Sequence, residues 1–391
     1  MRPIRQSSRK SPRPLTRHGF ATTTPGPTRE PSIQVERAAF AYQPSLDGLR
    51  AVAVLAVMAF HANLPWAEGG FYGVDVFFVL SGFLITTLLA REQEGHRTIR
   101  LGRFYMRRTL RLLPALLTLV VVLHVWSLWF VYPEQVRQLR RESAATLLYV
   151  ANWAQIAGYI KPLGFFGHAW SLAIEEQFYI VWPLALGVML RHLSRTTILA
   201  VIASAAVASA LWRAVLAGDP DGFSRAFHGS DTRAEALLIG CFLAMSLQSP
   251  AVLAAVRRRR AAPVLGAAAA AVLALMFTLT TWPSPGILRG GLTVTALATA
   301  MLILHLQAWP GGALARTLAW RPLAATGQIS YGLYLWQQPV ILTLTPAILA
   351  AGPVETAAVR FAVTFAMAIL SWVIVERFFL KRKKAWEAAI R

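Results

Sequence analysis

The sequence has a single cysteine and few charged side chains. Cys241 stands alone among 391 residues, which excludes an intrachain disulfide framework and any cysteine-rich metal site. Asp, Glu, Lys and Arg together make up 15% of the chain, against about 25% in soluble domains. Hydrophobic residues account for 56%, and the mean hydropathy is +0.49. So few polar groups cannot cover the surface of a soluble protein, and we interpret the chain as an integral membrane protein.

Several catalytic signatures are also absent. The sequence contains no G-x-S-x-G, no H-E-x-x-H, no P-loop and no Cys/His metal spacing. The H-x-x-x-x-D pair typical of glycerolipid acyltransferases is missing as well. No serine hydrolase, metalloenzyme or NTPase mechanism is therefore indicated, and we expect neither a metal nor a bound cofactor.

Acidic residues are scarce relative to basic ones, with 18 Asp and Glu against 39 Lys and Arg, a net charge of +21. Residues 1–43 are basic and rich in Pro, Ser and Thr, so we predict a disordered cytoplasmic tail. The membrane domain is expected over 44–380, followed by a short basic cytoplasmic tail at 381–391. Membrane topology and anionic headgroups explain most of the positive charge, so the lipid bilayer is the expected partner and nucleic acid is not.

Apolar runs determine the expected architecture. A membrane span needs about 20 apolar residues, and eleven runs qualify: 45–64, 71–90, 112–132, 143–160, 169–190, 195–216, 232–248, 262–281, 287–307, 324–350 and 356–379. The later basic clusters fall on the cytoplasmic side only if one run does not cross. The run 143–160 is short and interrupted by polar residues. We therefore predict an all-α bundle of about ten spans in a bacterial cell membrane, with both termini cytoplasmic and 143–160 re-entrant or interfacial.

The first predicted span carries two basic residues on one face. Arg50 and His61 are eleven positions apart, which leaves them about 20° apart around a helix and about 16 Å apart along it. Ionisable groups inside spans are functional candidates because their burial is costly. The alternative is that Arg50 only reaches the headgroups and His61 only bonds a neighbouring helix.

Three carboxylates lie near the predicted outer ends of other spans. Asp75 is placed at the depth of His61 and could orient its imidazole, or it could be an N-terminal helix charge favoured by the dipole. Glu175 and Glu176 are adjacent in an apolar helix, where packing does not explain two acids. One of them is a candidate buried acid or base.

Two further groups of charged residues can be interpreted either as functional sites or as structural features. Arg100, Arg103, Arg107 and Arg111 share one helix face with Arg108 beside them, as in a phosphate site or a headgroup-facing amphipathic stretch. Asp231 and Arg233, with Glu235, lie at the outer end of another predicted span. They are either a functional site or ion pairs at the rim.

Five segments together resemble the acyltransferase type 3 family of multi-span membrane acyltransferases. They are Leu46-Asp-Gly-Leu-Arg-Ala-Val-Ala-Val with His61, Gly70-Phe-Tyr-Gly-Val-Asp-Val-Phe-Phe-Val-Leu-Ser-Gly-Phe-Leu-Ile, Phe104-Tyr-Met-Arg-Arg-Thr-Leu-Arg-Leu-Leu-Pro, Trp170-Ser-Leu-Ala-Ile-Glu-Glu-Gln-Phe-Tyr and Ser330-Tyr-Gly-Leu-Tyr-Leu-Trp. The family includes bacterial surface-polysaccharide O-acetylases and macrolide O-acyltransferases. The resemblance covers about 44 to 380, nearly all of the chain except the first tail.

The resemblance implies an acyl-CoA donor, acetyl-CoA as the first expectation, and a hydroxyl acceptor. Arg50 and His61 match the family's basic-x10-His motif, and Arg108 and Arg111 its R-x-x-R motif. The expected catalytic residues are His61, Asp75, Glu175 and Glu176; the expected acyl-CoA-binding residues are Arg50, Arg107, Arg108 and Arg111; the candidate acceptor site is Asp231, Arg233, Tyr331 and Tyr334.

The expected mechanism has His61 as general base, oriented by Asp75 or Glu175, with an acyl-histidine intermediate as second choice. The oxyanion donor stays open among Ser81, Tyr331 and backbone amides. The acceptor is a cell-envelope glycan or a macrolide-type metabolite. The short chain beyond 380 favours a stand-alone enzyme of the macrolide type. The rival class is a multi-span transporter or channel without catalytic activity, which buried charges in ten spans also fit.

Overall fold

The computed structural model describes residues 42–130, 132–219, 221–259 and 262–382. These ranges are almost entirely helical and contain no β-strand. The predicted all-α membrane fold is thereby confirmed. The predicted tails lie outside the described residues, apart from the two positions at the end of the first tail and the two at the start of the second.

The helices are numbered here in chain order. They are α1 Pro44–His61, α2 Gly73–His96, α3 Leu101–Phe130, α4 Pro133–Leu147, α5 Ala151–Ile156, α6 Trp170–His192, α7 Arg195–Leu216, α8 Phe223–His228, α9 Ser230–Leu247, α10 Pro250–Arg258, α11 Ala262–Leu279, α12 Leu292–Ala308, α13 Ala313–Leu318, α14 Arg321–Gln328, α15 Ser330–Thr343, α16 Pro346–Leu349 and α17 Pro353–Ser371. Short 3-10 turns at Gly70–Tyr72 and Gly167–Ala169 lead into α2 and α6, and π-helical segments at Ile287–Gly291 and Trp372–Glu376 adjoin α12 and α17.

Length and apolar composition identify the helices that can cross a membrane. Within the described ranges seven qualify, or up to eight if α8–α9 and α10, bent by 93° at their junction, form one span. The predicted run 262–281 coincides with the shorter helix α11, and the predicted run 324–350 is divided among α14, α15 and α16. The count of ten spans and the cytoplasmic termini therefore stay predictions.

The segment 143–160 forms a hairpin rather than one helix. α4 and the six-residue α5 are separated by a turn at 148–150. The Gln177 amide of α6 donates to the Tyr149 carbonyl at 2.7 Å and to Asn152 Oδ1 at 3.0 Å. Gln177 lies seven residues after the start of α6, about 10 Å along its axis. The chain thus turns back beside α6 at this point, and the placement of 143–160 as re-entrant or interfacial stays a prediction.

Helix α2 lies at the centre of the bundle. Of the apolar stretch that qualifies α2 as a span, 78% is buried, whereas the corresponding share for the last candidate span is 22%. It packs on α1, α6, α9 and α12. Gly82 and Gly240 let α2 and α9 approach closely, because a Cβ at either position would lie within 2.1 Å of a backbone oxygen of the other helix. This close crossing fixes one wall of the site described next.

Candidate active site

A cavity of about 480 Å³ runs along α2 between α1, α3, α6 and α15. Its lining on α2 extends from Val74 to Leu88, which are fourteen positions apart, about 21 Å along the helix. Most of its surface is apolar. The polar residues that line it are Arg50, Ser81, Arg107, Arg108, Arg111, Tyr149, Ser171, Glu175, Glu176, Tyr179, Ser330, Tyr331 and Tyr334.

Arg50, Arg107, Arg108 and Arg111 bring four guanidinium groups to this cavity. Three of them have carboxylate partners: Arg50 lies 3.7 Å from Asp47, Arg107 3.7 Å from Glu92, and Arg108 3.6 Å from Glu176. The Arg108 guanidinium also stacks 3.5 Å over the Tyr179 ring.

Arg111 differs from the other three. It forms no ion pair with any residue that the structure describes, and its side chain is exposed to the cavity. Its five donors are therefore the most available of the four guanidinium groups for an anionic ligand.

The two adjacent glutamates both face the cavity but have different partners. Glu175 accepts hydrogen bonds from the hydroxyls of Ser81 and Tyr179, whereas Glu176 pairs with Arg108. Neither is bonded to His61. The prediction that Glu175 orients the imidazole is therefore wrong, because Glu175 is engaged by two hydroxyls in the cavity wall.

His61 lies outside this cavity, in a second cleft of about 80 Å³. The cleft is lined by His61, Gln155, Pro162, Leu163, Gly167, His168, Trp170, His228 and Gln338. The Nδ1 atom of His61 lies 3.2 Å from Oε1 of Gln337. In the tautomer that donates from Nδ1 to this amide oxygen, Nε2 keeps the lone pair that a base needs.

Asp75 does not orient His61 as predicted. Both of its carboxylate oxygens lie 3.0 Å from Nη2 of Arg233, and the two side chains are 2% and 1% exposed. The rings of Phe78, Trp170 and Phe227 surround the guanidinium group at 5.0 to 5.6 Å. A permanent cation compensates a buried carboxylate better than a neutral imidazole does, which explains the different partner.

The four residues predicted as an acceptor site do not form one group. Asp231 forms a half-exposed ion pair with Arg225, with contacts of 2.8 and 2.6 Å. Arg233 is buried against Asp75, and Tyr331 and Tyr334 line the large cavity. That acceptor prediction is wrong as a set, because each charged member is neutralised by a partner from a different helix.

A thin partition separates the large cavity from the small cleft. Ser171 and Tyr334 line the cavity, and His168 lines the cleft. Ser171 Oγ lies 2.5 Å from the Tyr334 hydroxyl, which donates to the His168 carbonyl at 3.0 Å. The His168 ring meets the Tyr334 ring edge-on at 5.3 Å. Two residues that line the cavity thus contact a residue that lines the cleft. We call these contacts of Ser171, Tyr334 and the His168 carbonyl the partition between the two spaces.

Sequence reasoning missed Gln337, His168, Gln155 and Gln177. Each is a polar residue in a mostly apolar stretch, and that was the available signal. Gln177 joins the hairpin to α9, since it accepts a hydrogen bond of 2.5 Å from Ser230. No cluster of three or more His, Cys, Asp or Glu side chains in the described ranges could hold a metal ion.

Comparison with curated proteins identifies relatives among bacterial acetyltransferases. A peptidoglycan O-acetyltransferase of Listeria monocytogenes is 38% identical over 350 residues, 86% of this chain and 55% of the relative. A putative peptidoglycan O-acetyltransferase of Bacillus subtilis is 38% identical over 375 residues, 88% and 58% of the two chains. An O-acetyltransferase of Staphylococcus aureus is 34% identical over 355 residues, 89% and 58%.

The chain therefore spans 55 to 58% of the length of these relatives. No solved structure matches it. The family model described as an acyltransferase domain matches residues 43–376, which include both the large cavity and the small cleft. The chain belongs to this acyltransferase family, whose relatives place it in the bacterial cell membrane.

Proposed function

We propose that this protein transfers an acyl group, acetyl as the first candidate, from acyl-CoA to a hydroxyl of a cell-envelope glycan. The observation that carries the proposal is the large cavity, in which four arginines open onto a long and mainly apolar space. The names of the Listeria and Staphylococcus relatives support acetyl as the acyl group, and the Listeria name supports a glycan acceptor over a macrolide.

The arginine cluster suits the nucleotide end of the donor. Guanidinium groups bind phosphate through paired hydrogen bonds. Arg111 has no carboxylate partner among the described residues, so it is the first candidate ligand. Arg50, Arg107 and Arg108 add positive charge beside it. We place this end at the cytoplasmic face, where acyl-CoA is made.

The apolar stretch of the cavity suits the pantetheine arm. Phe77, Leu80 and Leu84 of α2 line it together with Leu172 of α6. An arm laid along this wall brings the thioester toward Ser171 and Tyr334. The reacting carbonyl must then pass the partition to meet His61, so opening of the Ser171–Tyr334–His168 contact belongs to the proposed cycle.

His61 supplies the proton transfer. Nε2 takes the proton of the acceptor hydroxyl as its oxygen attacks the thioester carbonyl, and the collapsing adduct breaks the carbon–sulfur bond. The imidazolium then returns the proton to the CoA thiolate, giving free CoA and the ester. Gln337 keeps the proton on Nδ1 and so keeps Nε2 available.

The test uses the full chain in proteoliposomes with radiolabelled acetyl-CoA and soluble peptidoglycan fragments. We expect label in the acceptor and one free CoA for each ester formed. His61→Ala should bind acetyl-CoA and lose about 10²–10⁴ in transfer rate. His124→Ala is the matched control, because His124 lines neither space. Well-folded wild-type protein that transfers nothing from acetyl-CoA, or His61→Ala at wild-type rate, would contradict the proposal.

A further inference from the structure

We infer that the small cleft is the acceptor subsite and that His168 and Gln155 hold the neutral hydroxyl group presented to His61. This inference rests on the proposed function and assigns its acceptor side. It also replaces the set of Asp231, Arg233, Tyr331 and Tyr334, which the fold separates.

Two buried side chains of the small cleft have unmet hydrogen-bonding capacity. His168 is 3% exposed, and neither of its ring nitrogens makes a hydrogen bond of good geometry with a described residue, although the Leu335 backbone lies close enough to interact with the ring. Gln155 is 5% exposed; its amide nitrogen donates to the Gly167 carbonyl at 2.6 Å, but its Oε1 has no partner in the part of the chain that the structure describes. Both residues line the same cleft. A buried polar group without a partner costs free energy. A ligand that hydrogen-bonds to both residues removes this cost.

The unpartnered atoms define the chemistry of the ligand. A neutral imidazole offers one donor and one acceptor, and Gln155 Oε1 adds a second acceptor. A hydroxyl both donates and accepts, so a pair of neighbouring hydroxyls, or a hydroxyl beside an amide, matches this set. No Asp, Glu, Lys or Arg of the described ranges lines the cleft. The site is therefore suited to a neutral polar group rather than to a phosphate or a carboxylate.

The size and composition of the cleft agree with one edge of a sugar. Its 80 Å³ accommodates roughly half a dozen water molecules, too little for a glycan chain and enough for a few polar substituents. Trp170 and Leu163 supply apolar surface beside the polar groups, a mixture that suits a sugar with its alternating C–H and O–H groups.

The position of the cleft connects binding to chemistry. His61 faces the same space through the ring whose Nδ1 is held by Gln337. His168 also contributes its carbonyl to the partition contact with Tyr334. A hydroxyl held by His168 therefore lies between the proposed base and the side from which the acyl group arrives. We regard His168 and Gln155 as positioning residues for this hydroxyl.

Binding without a donor tests this assignment separately from the transfer activity. The probe is the neutral tetramer of β-1,4-linked N-acetylglucosamine, titrated calorimetrically into the detergent-solubilised full chain. His168→Phe keeps the ring shape and removes both nitrogens, and should weaken binding about tenfold. His168→Gln, which restores one donor and one acceptor, should recover most of that loss. Excess inorganic phosphate should not displace the tetramer.

The matched control is His305→Phe, since His305 is also buried with an unpartnered Nδ1 but lines neither space. It should bind the tetramer as the wild type does. Gln155→Met replaces His168→Phe if the latter does not fold, and should show the same weakening. Wild-type affinity in folded His168→Phe or Gln155→Met, displacement by phosphate, or no saturable binding by wild type would overturn the inference. Intact binding without any transfer from acetyl-CoA would count against the proposed function alone.

Discussion

His61 Nδ1 lies 3.2 Å from Oε1 of Gln337, a residue 276 positions later in the chain. The base proposed for this protein is therefore oriented by a neutral amide and not by a carboxylate. An amide oxygen accepts from Nδ1–H as a carboxylate does, yet it adds no negative charge to stabilise the imidazolium. In the proposed reaction, this arrangement favours proton return from His61 to the leaving thiolate, because the charged imidazole is held less strongly.

Replacement of Gln337 should slow turnover without affecting the donor. In Gln337→Leu the imidazole can rotate and change tautomer, so we expect kcat to fall about ten- to a hundredfold, part of the full general-base contribution, with KM for acetyl-CoA unchanged. Gln337→Glu should instead shift the pH profile of kcat upward, since a carboxylate stabilises the imidazolium. Gln307→Leu, which alters a buried glutamine bonded to Gln43, is the control. Unaltered kcat in Gln337→Leu would contradict the assignment.

Arg111 should contribute to donor binding through its shape as well as its charge. Arg111→Lys keeps the charge but loses the paired donors, so KM for acetyl-CoA should rise about tenfold, with kcat at saturation nearly unchanged. The control is Arg258→Lys, because Arg258 is exposed and lines neither space. The measurement is a saturation curve in acetyl-CoA at fixed acceptor. Equal KM values in wild type, Arg111→Lys and Arg111→Ala would exclude Arg111 from the donor site.

The Asp75–Arg233 pair should contribute to stability. Asp75→Asn leaves a buried guanidinium group without its counter-charge, which typically costs about 3–5 kcal/mol. Thermal unfolding in detergent should show a clear loss of Tm, or the yield of folded protein should fall. The double variant Asp75→Leu/Arg233→Met removes both charges and should recover much of the loss. A Tm equal to wild type in Asp75→Asn would show that the pair is not important for folding.

Glu142 should make the stability of the hairpin depend on pH. It lies on α4, outside the spanning helices, and accepts hydrogen bonds from the Phe166 N–H at 3.1 Å and from Gln138 at 2.9 Å. Burial raises the pKa of its carboxyl above the ordinary 4.5. The folded state therefore binds the proton more tightly than the unfolded state does. The resulting stabilisation is present below pH 4.5 and is lost as the pH rises through the folded-state pKa.

Glu142→Gln removes this titration but keeps an oxygen for the Phe166 N–H. The Tm of wild type relative to the variant should fall between about pH 4 and about pH 8. Thermal unfolding across that interval is the measurement. A difference that stays constant across the interval would show that Glu142 does not titrate on unfolding.

The sequence predicted the helical membrane domain and the arginine cluster because both depend on local patterns. Each apolar run of about 20 residues can be recognised from its own segment of sequence. Arg107, Arg108 and Arg111 likewise lie within one stretch of α3. Arg50 joins them because α1 and α3 line the same cavity. The family resemblance, now confirmed, rested on motifs distributed over the whole domain.

The partners of the buried side chains could not be predicted in this way. The sequence pairs Asp75 with His61 only because both lie at the same predicted depth. The residue that contacts Asp75 in the fold is Arg233, 158 positions later in the chain. Helix periodicity defines which face of a helix is polar and does not define which helix it meets. The division into a large cavity and a small cleft also depends on which helices pack together. Ser171, Tyr334 and His168 come into contact only when α6 and α15 are packed.

The partition between the large cavity and the small cleft also bears on the ion permeability of the membrane. A continuous polar passage from the arginine cluster to the His61 cleft would conduct protons and small ions, each driven by about 2.3 kcal/mol per 100 mV of membrane potential. The Tyr334 ring and its hydrogen bonds to Ser171 and His168 occupy the point where such a passage would open. While this contact is closed, the large cavity and the small cleft do not join into such a passage.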